Sequence, residues 1–544
     1  MAVITFDRKE LSQLVGKELA HAELNEILPA LGLPIEKVEG ETFHVDITPD
    51  RPDMLSVEGL ARAVASYVGV KTGCPKYFVE DSGVELIVDR SVKEVRPFIS
   101  AAIAREARLT ESALLSILQL QEKLHDTVGR KRKKVSIGIY NLDVLAPPIT
   151  YKAVAPDEVS FVPLESTESM TLEEIRQKHP KGQTYGYILE GHKRYPLLVD
   201  SKGAVLSMPP VINSEQTKVT VETRNLFIDA TGTSKHAVAD ALEIICAALA
   251  DRGAKVQQVT VADGKSRVKT PDMTPLKTSV SAKWINDLLG VEFSEQQLCD
   301  YLGRMGHDVQ RGGRKLLVIS PHYRTDIIHD VDIAEDVAIA HGYNEFDPSL
   351  PQFASIGSKK PLEVKCELAR DVMIGLGFQE VMNWYITNKE RNFWKMNLPE
   401  EPCVTIANPK TAEFTIFRTW CIPSLLEVLS NNRHVPMPQK IFEIGDVAVL
   451  DGEKARELRK LSCAFCDAKA GFSAMKSIAE AFLFEMDLRA ELKPLVGHPS
   501  FIPGRVAQLL IDGKVAGMLG EIHPQVLNNW GVEQPVAVFE MEIR

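Results

Sequence analysis

The sequence predicts an α+β multidomain chain, and three observations support this fold class. A unit of about 60 residues occurs twice. Strands and helices are mixed between the two copies, and a helix followed by mostly antiparallel strands completes the chain. The 544 residues are too many for a single hydrophobic core. We therefore expect four domains, at 1–85, 86–270, 271–346 and 347–544.

The first domain and the third share the repeated unit, which we predict to be a small helical, winged unit. Its two versions are PDRPDMLSVEGLARAVASYVGV at 49–70 and PHYRTDIIHDVDIAEDVAIAHGY at 321–343. At one constant offset Arg51 matches Arg324, and the match extends upstream through Leu-Val-Gly and Leu-Leu-Gly after a single one-residue gap. One supersecondary unit has therefore been duplicated.

The second copy carries four acids, three of which have no acidic counterpart in the first: Asp326, Asp332, Glu335 and Asp336. Residues 330–341 have a helical period, which places the last three acids on one face of a helix. Carboxylates this close repel each other, and Mg²⁺ would relieve the repulsion because it binds carboxylate oxygens. An acidic first turn favoured by the helix dipole explains the same spacing. The residues alone leave both interpretations open.

Between the copies, short apolar runs alternate with amphipathic segments. The predicted strands are 84–88, 135–140, 197–199, 219–221 and 226–228. The predicted helices are 111–128, 171–178 and 234–252. Two polar stretches with prolines, 265–275 and 347–360, are typical of linkers.

The fourth domain begins with a helix whose apolar residues recur at helical spacing: Val364, Leu368, Val372 and Leu376. The strands predicted after it are 381–387, 440–450, 508–511, 515–519 and 536–543. Asp512-Gly513, between two of them, is a strong hairpin signal. These strands predict a mainly antiparallel sheet.

Charge excludes a general polyanion binder, because 63 basic residues face 74 acidic ones and the net charge is −11. Two basic clusters remain, at 130–134 and at 311–315. The first follows an amphipathic helix. It is either a helix C-terminus with a solvated turn or a contact for RNA phosphate.

The cysteines and the N-terminus indicate a cytoplasmic protein. Eight scattered cysteines suit a reducing compartment. Cys463 and Cys466 form a C-x-x-C pair, but no second pair follows nearby, so we do not expect zinc there. The first ten residues, MAVITFDRKE, do not form a signal peptide. No apolar run approaches the roughly 20 residues that span a bilayer.

Three segments together resemble a known family. They are TPDRPDMLSVEGLARAVA at 48–65, NSEQTKVTVETRNLFIDATGT at 213–233 and YRTDIIHDVDIAEDVAIAHGYN at 323–344. The chain resembles, over nearly its whole length, the beta subunit of phenylalanyl-tRNA synthetase in its archaeal and eukaryotic cytosolic form. The resemblance implies a complex of two alpha and two beta chains that attaches phenylalanine to its tRNA. It also implies that Asp326, Asp332, Glu335 and Asp336 bind Mg²⁺ at the contact with the alpha subunit.

The resemblance assigns a class II synthetase-like antiparallel sheet to 347–544. Class II enzymes hold ATP with an arginine in an Arg-x-Glu motif and another in a Gly-rich motif. Here Arg418 is followed by Thr419-Trp420-Cys421, and no Gly-rich segment follows the strand VAVFEMEI. We expect this domain to lack the activation site, and ATP and phenylalanine to bind mainly to the alpha subunit.

The resemblance also implies that 86–270 is an α+β editing domain, which hydrolyses tyrosine attached to the tRNA by mistake. The candidate pocket residues are Leu198, Ser207, Asn213 and Asp229. Ser207 or Asp229 would bond the tyrosine hydroxyl, and Pro209-Pro210 would shape the pocket. Ser207 and Asn213 are alternatively ordinary turn residues. The alternative function is a non-enzymatic RNA-binding or assembly subunit with an inactive pocket.

Overall fold

The structure is a computed structural model that describes residues 2–312, 315–351 and 355–544. The chain divides into two compact units, Met1–Ser349 and Leu350–Arg544. We call the second the C-terminal unit. Gly313 and Arg314, in the basic cluster 311–315, lie outside the described residues, as do three residues of the predicted linker 347–360.

The duplicated unit has the same topology in both copies. The first copy contains, in chain order, Ala2–Asp7, the helices Arg8–Val15 and His21–Ala30, the strands Ile35–Glu39 and Thr42–Ile47, and the helix Val57–Tyr67. The second contains Leu276–Val280, the helices Ala282–Leu289 and Glu295–Arg304, the strands Asp308–Gly312 and Lys315–Ser320, and the helix Asp330–His341. In each copy the last strand lies between the other two.

The last helix of each copy begins differently, which explains one of the substitutions between them. In the first copy, Ser56 caps the helix by accepting a hydrogen bond from Gly59 N at 3.2 Å. A Cβ at Gly59 would lie 1.7 Å from the Asp53 carbonyl oxygen, so only glycine fits against this turn. In the second copy the matching residue, Asp332, uses its side chain as a cap instead. The backbone of the first copy therefore excludes a side chain where the second carries an acid.

A large mixed sheet forms the middle module, residues 80–270. Its strands run, from one edge to the other, in the order Ile212–Asn213, Val205–Met208, Tyr195–Val199, Ile149–Val154, Glu80–Val88, Lys255–Asp263, Phe98–Arg105, Leu226–Gly232 and Val135–Asn141. Ser266–Thr270 pairs with Lys255–Asp263, and a small separate sheet joins Ser160–Phe161 to Met170–Thr171. The helices are Glu111–Asp126, Leu172–Lys178, Pro180–Tyr185 and Lys235–Asp251.

The long helix Lys235–Asp251 covers one face of this sheet, as its apolar spacing predicted. Its apolar residues at helical spacing are each at most 1% exposed: Val238, Leu242, Ile245 and Leu249. They belong to one core with residues of the first copy and of the strands on either side of Leu226–Gly232. The sheet and the first copy therefore share a hydrophobic core.

Two predictions for the middle module were wrong. Residues 219–221 do not form a strand, because Thr220 N bonds to Thr223 Oγ1 at 3.0 Å and closes a local turn. The stretch 265–275 is not simply a linker, since Ser266–Thr270 forms a strand. The signal for that hairpin is Asp263-Gly264, where Gly264 has a φ of +61°.

The C-terminal unit is built on a second sheet. Its strand order is Gln379–Glu380, Gln439–Asp451, Lys454–Cys466, Val536–Glu542, Lys514–Ile522, Phe501–Ile511 and Ala490–Pro494. The first pair is parallel and the others are antiparallel. A short sheet joins Ile386–Thr387 to Ile416–Phe417. The helices are Pro361–Gly375, Lys389–Asn392, Ile422–Asn431, Phe472–Glu485 and Pro524–Trp530.

The Asp512-Gly513 hairpin is confirmed, because it joins the paired strands Phe501–Ile511 and Lys514–Ile522. The predicted strand 381–387 is wrong over most of its length. Val381 N bonds to the Phe442 carbonyl, and the Asn383 side chain then bonds to Glu443 at 2.8 Å. The parallel pairing with the strand Gln439–Asp451 covers Gln379–Glu380, and within 381–387 the strand is Ile386–Thr387.

Within the described residues, no helix is long and apolar enough to cross a membrane. Cys463 and Cys466 are free thiols buried in the sheet of the C-terminal unit.

Candidate functional site

Three of the four predicted pocket residues lie side by side on adjacent strands. Ser207 faces Leu198 on one neighbouring strand and Asn213 on the other. Leu198 is fully buried and Ser207 is 2% exposed. The turn that contains Pro209-Pro210 connects the strands of Ser207 and Asn213, and Val211 N closes it by bonding to the Met208 carbonyl at 2.8 Å.

The fourth residue, Asp229, joins this group because the sheet curls. Asp229 lies on Leu226–Gly232, next to the edge strand Val135–Asn141, at the far end of the sheet from Asn213. Asn213 Nδ2 nevertheless reaches the Ile139 carbonyl at 3.5 Å, so the two edges of the sheet approach each other. The four predicted residues therefore meet where the curled sheet nearly closes, and we call this place the seam.

Tyr140 connects the two sides of this seam. Its hydroxyl donates to Asp229 Oδ1 at 2.5 Å and lies 2.8 Å from Ser207 Oγ. The tyrosine ring passes over Gly138, where a Cβ would lie 1.9 Å from the Tyr140 hydroxyl oxygen. Sequence reasoning missed Tyr140. The available signal was Gly138, two residues earlier on the same face of the strand, which leaves room for a bulky side chain.

Asp229 is buried, and no cation among the described residues lies at hydrogen-bond distance from it. Burial raises the pKa of Asp229 to about 7, although the Tyr140 hydrogen bond and the charge of Arg96 lower it in part. Only Oδ1 of Asp229 receives a hydrogen bond from the residues that the structure describes. This carboxyl group can therefore change its protonation state near neutral pH.

Arg96, the buried cation whose charge acts on Asp229, bonds to neutral oxygens instead. It donates to Thr231 Oγ1 at 2.9 Å, to the Thr231 carbonyl at 2.6 Å and to Ser136 Oγ at 3.1 Å. Burial lowers the pKa of Arg96 to about 10. Sequence reasoning missed this residue too, since its partners come from strands that are distant in the chain.

One residue of the basic cluster 130–134, Arg132, bonds to the turn that contains Pro209-Pro210. Arg132 is buried and donates to the Val211 carbonyl at 2.9 Å and to Glu122 at 2.6 Å. It is therefore neither a solvated turn residue nor free to contact RNA phosphate. Arg130, Lys131 and Lys133 are exposed, so the two interpretations of the cluster stay open for them.

The four acids of the second copy are distributed among different contacts. Arg324 bonds to both oxygens of Asp326, at 2.9 and 2.7 Å, and to Asp336 at 2.7 Å. His307 Nε2 also contacts Asp336, at 2.6 Å. Burial alone would raise the pKa of Asp336, but Arg324 and His307 hold it well below its usual range. Asp336 is therefore a buried, paired carboxylate.

Asp332 and Glu335 lie nearer the surface. Asp332 accepts hydrogen bonds from the backbone nitrogens of Ile328 and His329, at 2.7 and 2.6 Å, and caps its own helix. Partial burial raises the pKa of Glu335, and four acids add to this effect: Asp336, Asp50, Asp332 and Asp326. Among the described residues, no group of three or more His, Cys, Asp or Glu side chains is arranged to hold a metal ion. The four carboxylates do not form one ready metal site, and magnesium stays a prediction.

The matching arginine–aspartate pairs of the two copies lie near each other. Arg51 bonds to Asp53 at 2.8 and 2.9 Å, as Arg324 does to Asp326. Arg51, Asp53 and Arg324 all line a cavity of about 650 Å³. Arg62, the counterpart of Glu335, bonds to Asp251 at 2.5 Å, so the first copy uses this position to hold the middle module.

In the C-terminal unit the buried charges are paired. Arg418 donates to Glu443 at 2.7 Å and to the Asp446 carbonyl at 2.9 Å. Glu540 accepts from Lys460 at 2.7 Å and from Ser462 at 2.7 Å. Arg418, the arginine that the sequence singled out, is therefore held inside the unit by an acid from a neighbouring strand.

Comparison with known proteins gives consistent matches along the chain. Family models match at 120–248 (B3/4 domain), 278–343 (tRNA synthetase B5 domain) and 347–543 (phenylalanyl tRNA synthetase beta chain CLM domain). The phenylalanine–tRNA ligase beta subunit of Pyrococcus furiosus is 42% identical over 549 residues, covering 99% of this chain and 98% of the relative. That of Methanocaldococcus jannaschii is 41% identical over 551 residues, covering 100% of each.

A solved structure supports the fold of the first unit. It is an N-terminal fragment of the phenylalanyl-tRNA synthetase beta subunit from Pyrococcus horikoshii, at 39% identity and a TM-score of 0.61. The match covers 62% of this chain and 99% of the fragment.

Proposed function

This chain belongs to the family of phenylalanine–tRNA ligase beta subunits, and we propose that within that ligase it hydrolyses tyrosine attached to the tRNA by mistake. Membership makes the chain part of an aminoacyl-tRNA ligase and implies an alpha partner and a tRNA. The observation that supports the editing activity is the convergence of Leu198, Ser207, Asn213 and Asp229 at one seam of the middle module.

The need for such a site follows from the two amino acids. Tyrosine differs from phenylalanine by one hydroxyl, and a hydrophobic pocket rejects an added hydroxyl only about 100-fold. A second pocket that requires the hydroxyl removes the error, because phenylalanine cannot supply the hydrogen bond. Leu198 gives this pocket an apolar wall, while Ser207 and Asp229 supply oxygens for the hydroxyl.

The reaction is the hydrolysis of an ester. Water adds to the ester carbonyl carbon, the bond to the ribose oxygen breaks, and tyrosine leaves as a carboxylic acid while the ribose oxygen regains a proton. We assign recognition of the side chain to Ser207, Asn213 and Asp229.

We propose further that the C-terminal unit supports charging as a scaffold, with ATP and phenylalanine bound by the alpha subunit in a complex of two alpha and two beta chains. Its buried arginine supports this role, because Arg418 is neutralised by Glu443 and does not project as a phosphate clamp.

Magnesium would bind beside Asp332 and Glu335, at the contact with the alpha subunit. Asp326 and Asp336 are bonded to Arg324, so they are less available as ligands. The acids around Glu335 support this proposal, since their repulsion is what a cation would relieve.

The alpha–beta complex tests the editing proposal directly. We expect it to release tyrosine from Tyr-tRNA, the tRNA being that for phenylalanine. Ser207→Ala and Asp229→Ala should slow this release about 5- to 150-fold, because each leaves the hydroxyl without a partner. Phenylalanine charging by the same preparations should be unchanged.

Ser201→Ala is the matched control, because the hydroxyl of this exposed serine bonds to the Ala146 carbonyl at 2.7 Å, away from Ser207 and Asp229. The beta chain without alpha should show no phenylalanine-dependent pyrophosphate exchange. A complex that charges phenylalanine but never releases tyrosine would instead favour a non-enzymatic RNA-binding or assembly subunit.

A further inference from the structure

We infer that Tyr140 is a positioning residue of the editing site, whose hydroxyl turns Ser207 into a hydrogen-bond acceptor and so makes the site require a substrate hydroxyl. The inference rests on the proposed editing function and assigns its specificity to a residue that does not itself contact the substrate.

The argument starts from the single proton of the Tyr140 hydroxyl. This oxygen lies 2.5 Å from Asp229 Oδ1 and 2.8 Å from Ser207 Oγ. An ionised carboxylate can only accept, so the Tyr140 proton is donated to Asp229. The bond to Ser207 must then use the serine proton, and the chain of donors runs from Ser207 through Tyr140 to Asp229.

That direction decides what Ser207 can offer a ligand. With its proton committed to Tyr140, Ser207 Oγ has only lone pairs left and can bond only to a donor. A tyrosine hydroxyl is a donor, whereas the C–H at the same position of phenylalanine is not. A serine whose proton is not committed would lack this preference. It could donate that proton to a ligand or to the protein, so it would not require a donor on the ligand.

The position of Tyr140 is set before any substrate arrives. Its side chain is 1% exposed, and its ring centroid lies 6.1 Å from that of Phe227. A Cβ at Gly138 would collide with the hydroxyl at 1.9 Å, so this glycine leaves space for the observed position. The chain of hydrogen bonds is therefore preorganised, which avoids an ordering cost on binding.

Protonation of Asp229 reverses the chain. A neutral Asp229 can donate to Tyr140, which then donates to Ser207 and leaves the serine proton free to point into the pocket. Burial raises the pKa of Asp229 to about 7, opposed by Tyr140 and Arg96, so the reversal falls in an accessible range. Hydrolysis of Tyr-tRNA should decline as the pH falls below about 7.

Tyr140→Phe in the alpha–beta complex is the test, because it removes the hydroxyl and keeps the ring. We expect kcat/KM for release of tyrosine from Tyr-tRNA to fall about 10- to 100-fold. Slow release of phenylalanine from Phe-tRNA should be unchanged, since no hydroxyl is recognised there. The inflection near pH 7 should move to higher pH, because the Tyr140 bond lowers the pKa of Asp229.

Tyr195→Phe is the matched control. Tyr195 is a buried tyrosine of the same module, and its hydroxyl bonds to Glu173 at 2.8 Å, away from Ser207 and Asp229. It should keep the rate and the pH profile of the unaltered complex. Phenylalanine charging by each preparation shows that the complex is assembled.

Asp229→Asn keeps the test decisive if Tyr140→Phe does not fold. Its amide oxygen still accepts from Tyr140 but does not titrate, so the inflection near pH 7 should disappear. The inference is overturned if the unaltered complex edits while Tyr140→Phe edits at the same rate with the same pH profile, or if Asp229→Asn retains the inflection. A complex that does not release tyrosine at all overturns the editing function itself, and the role of Tyr140 with it.

Discussion

The middle module and the C-terminal unit both bury charged side chains, but the middle module leaves two of them, Arg96 and Asp229, bonded to neutral groups. In the C-terminal unit each buried charge meets its opposite, as Arg418 meets Glu443 and Lys460 meets Glu540, both at 2.7 Å. In the middle module Arg96 donates to hydroxyl and carbonyl oxygens, and Asp229 accepts from a tyrosine. Neither of these two has a partner of opposite charge within hydrogen-bond distance among the described residues.

The difference separates a structural role from a chemical one. Two paired charges cancel, stay fixed over a wide pH range and leave little capacity for a ligand. Burial raises the pKa of Asp229 to about 7, and among the described residues only its Oδ1 accepts a hydrogen bond. This difference supports the editing activity that we propose for the middle module and the scaffold role that we propose for the C-terminal unit.

Breaking a pair in the C-terminal unit should give the largest effect. Arg418→Met leaves Glu443 buried without its cation, and we expect the free energy of unfolding to fall by about 3–5 kcal/mol. Tyrosine fluorescence cannot separate the units, but tryptophan fluorescence during urea unfolding can report mainly on this one. Four of the five tryptophans lie in it: Trp384, Trp394, Trp420 and Trp530.

Arg505→Met is the control for that measurement. Arg505 bonds to Glu521 at 2.9 Å, but its side chain is 57% exposed, so its loss should cost at most about 1 kcal/mol. Equal losses in the two variants would show that the buried pair has no special structural role and would break the comparison.

Replacing Asp229 in the middle module should have the opposite effect at high pH, where it should raise the free energy of unfolding relative to wild type. Because folded Asp229 keeps its proton to a higher pH than the unfolded chain, the stabilisation by that proton is complete below about pH 4. It is lost as the pH rises through about 7. Asp229 should therefore lower the free energy of unfolding by about 2–4 kcal/mol between pH 4 and pH 8, and Asp229→Asn should not show this decline.

Urea unfolding across that pH range, followed by circular dichroism, measures the difference between wild type and Asp229→Asn. Ser201→Ala serves as the control and should follow the wild-type curve. If Asp229→Asn loses stability in parallel with wild type, the carboxyl is ionised throughout and the contrast with the C-terminal unit disappears.

Sequence predicted the parts of this fold that depend on local pattern. The duplicated unit and the long helix Lys235–Asp251 follow from spacing that a single segment carries. The failed strands at 219–221 and 381–387 have apolar residues of the right type. At 219–221 a side-chain bond to the backbone closes a local turn, and at 381–387 the Asn383 side chain bonds to the Glu443 side chain. The pattern of residues does not show which of these competing bonds is formed.

For the site, the resemblance named four residues that the fold does bring together, while Tyr140 and Arg96 went unnoticed. Tyr140 reaches Ser207 only because the sheet curls, and curvature over many strands is not a property of any one segment. Arg96 bonds to Thr231 and Ser136, which are distant from it in the chain. The acids show the same limit. Helical spacing predicted one shared face, but Arg324 and His307, from outside the helix, bind Asp336.

The smallest predicted effect concerns Glu335. Its neighbours carry charges of the same sign, whereas the buried charges of the C-terminal unit have partners of opposite sign. Its neighbours Asp336, Asp50 and Asp332 raise its pKa after partial burial, so Glu335→Gln should stabilise the chain in the absence of Mg²⁺. Glu335 is exposed and solvent screens the repulsion, which limits the gain in the free energy of unfolding to about 0.5 kcal/mol.

Glu345→Gln is the control, because Glu345 is an exposed acid beyond the end of the helix and its substitution should change nothing. Thermal unfolding of the alpha–beta complex across a Mg²⁺ titration measures both variants. If Glu335 binds the ion, Mg²⁺ should stabilise wild type and Glu345→Gln more than Glu335→Gln. An equal response to Mg²⁺ in all three would contradict magnesium binding by Glu335. These acids would then serve only the helix dipole and the cap.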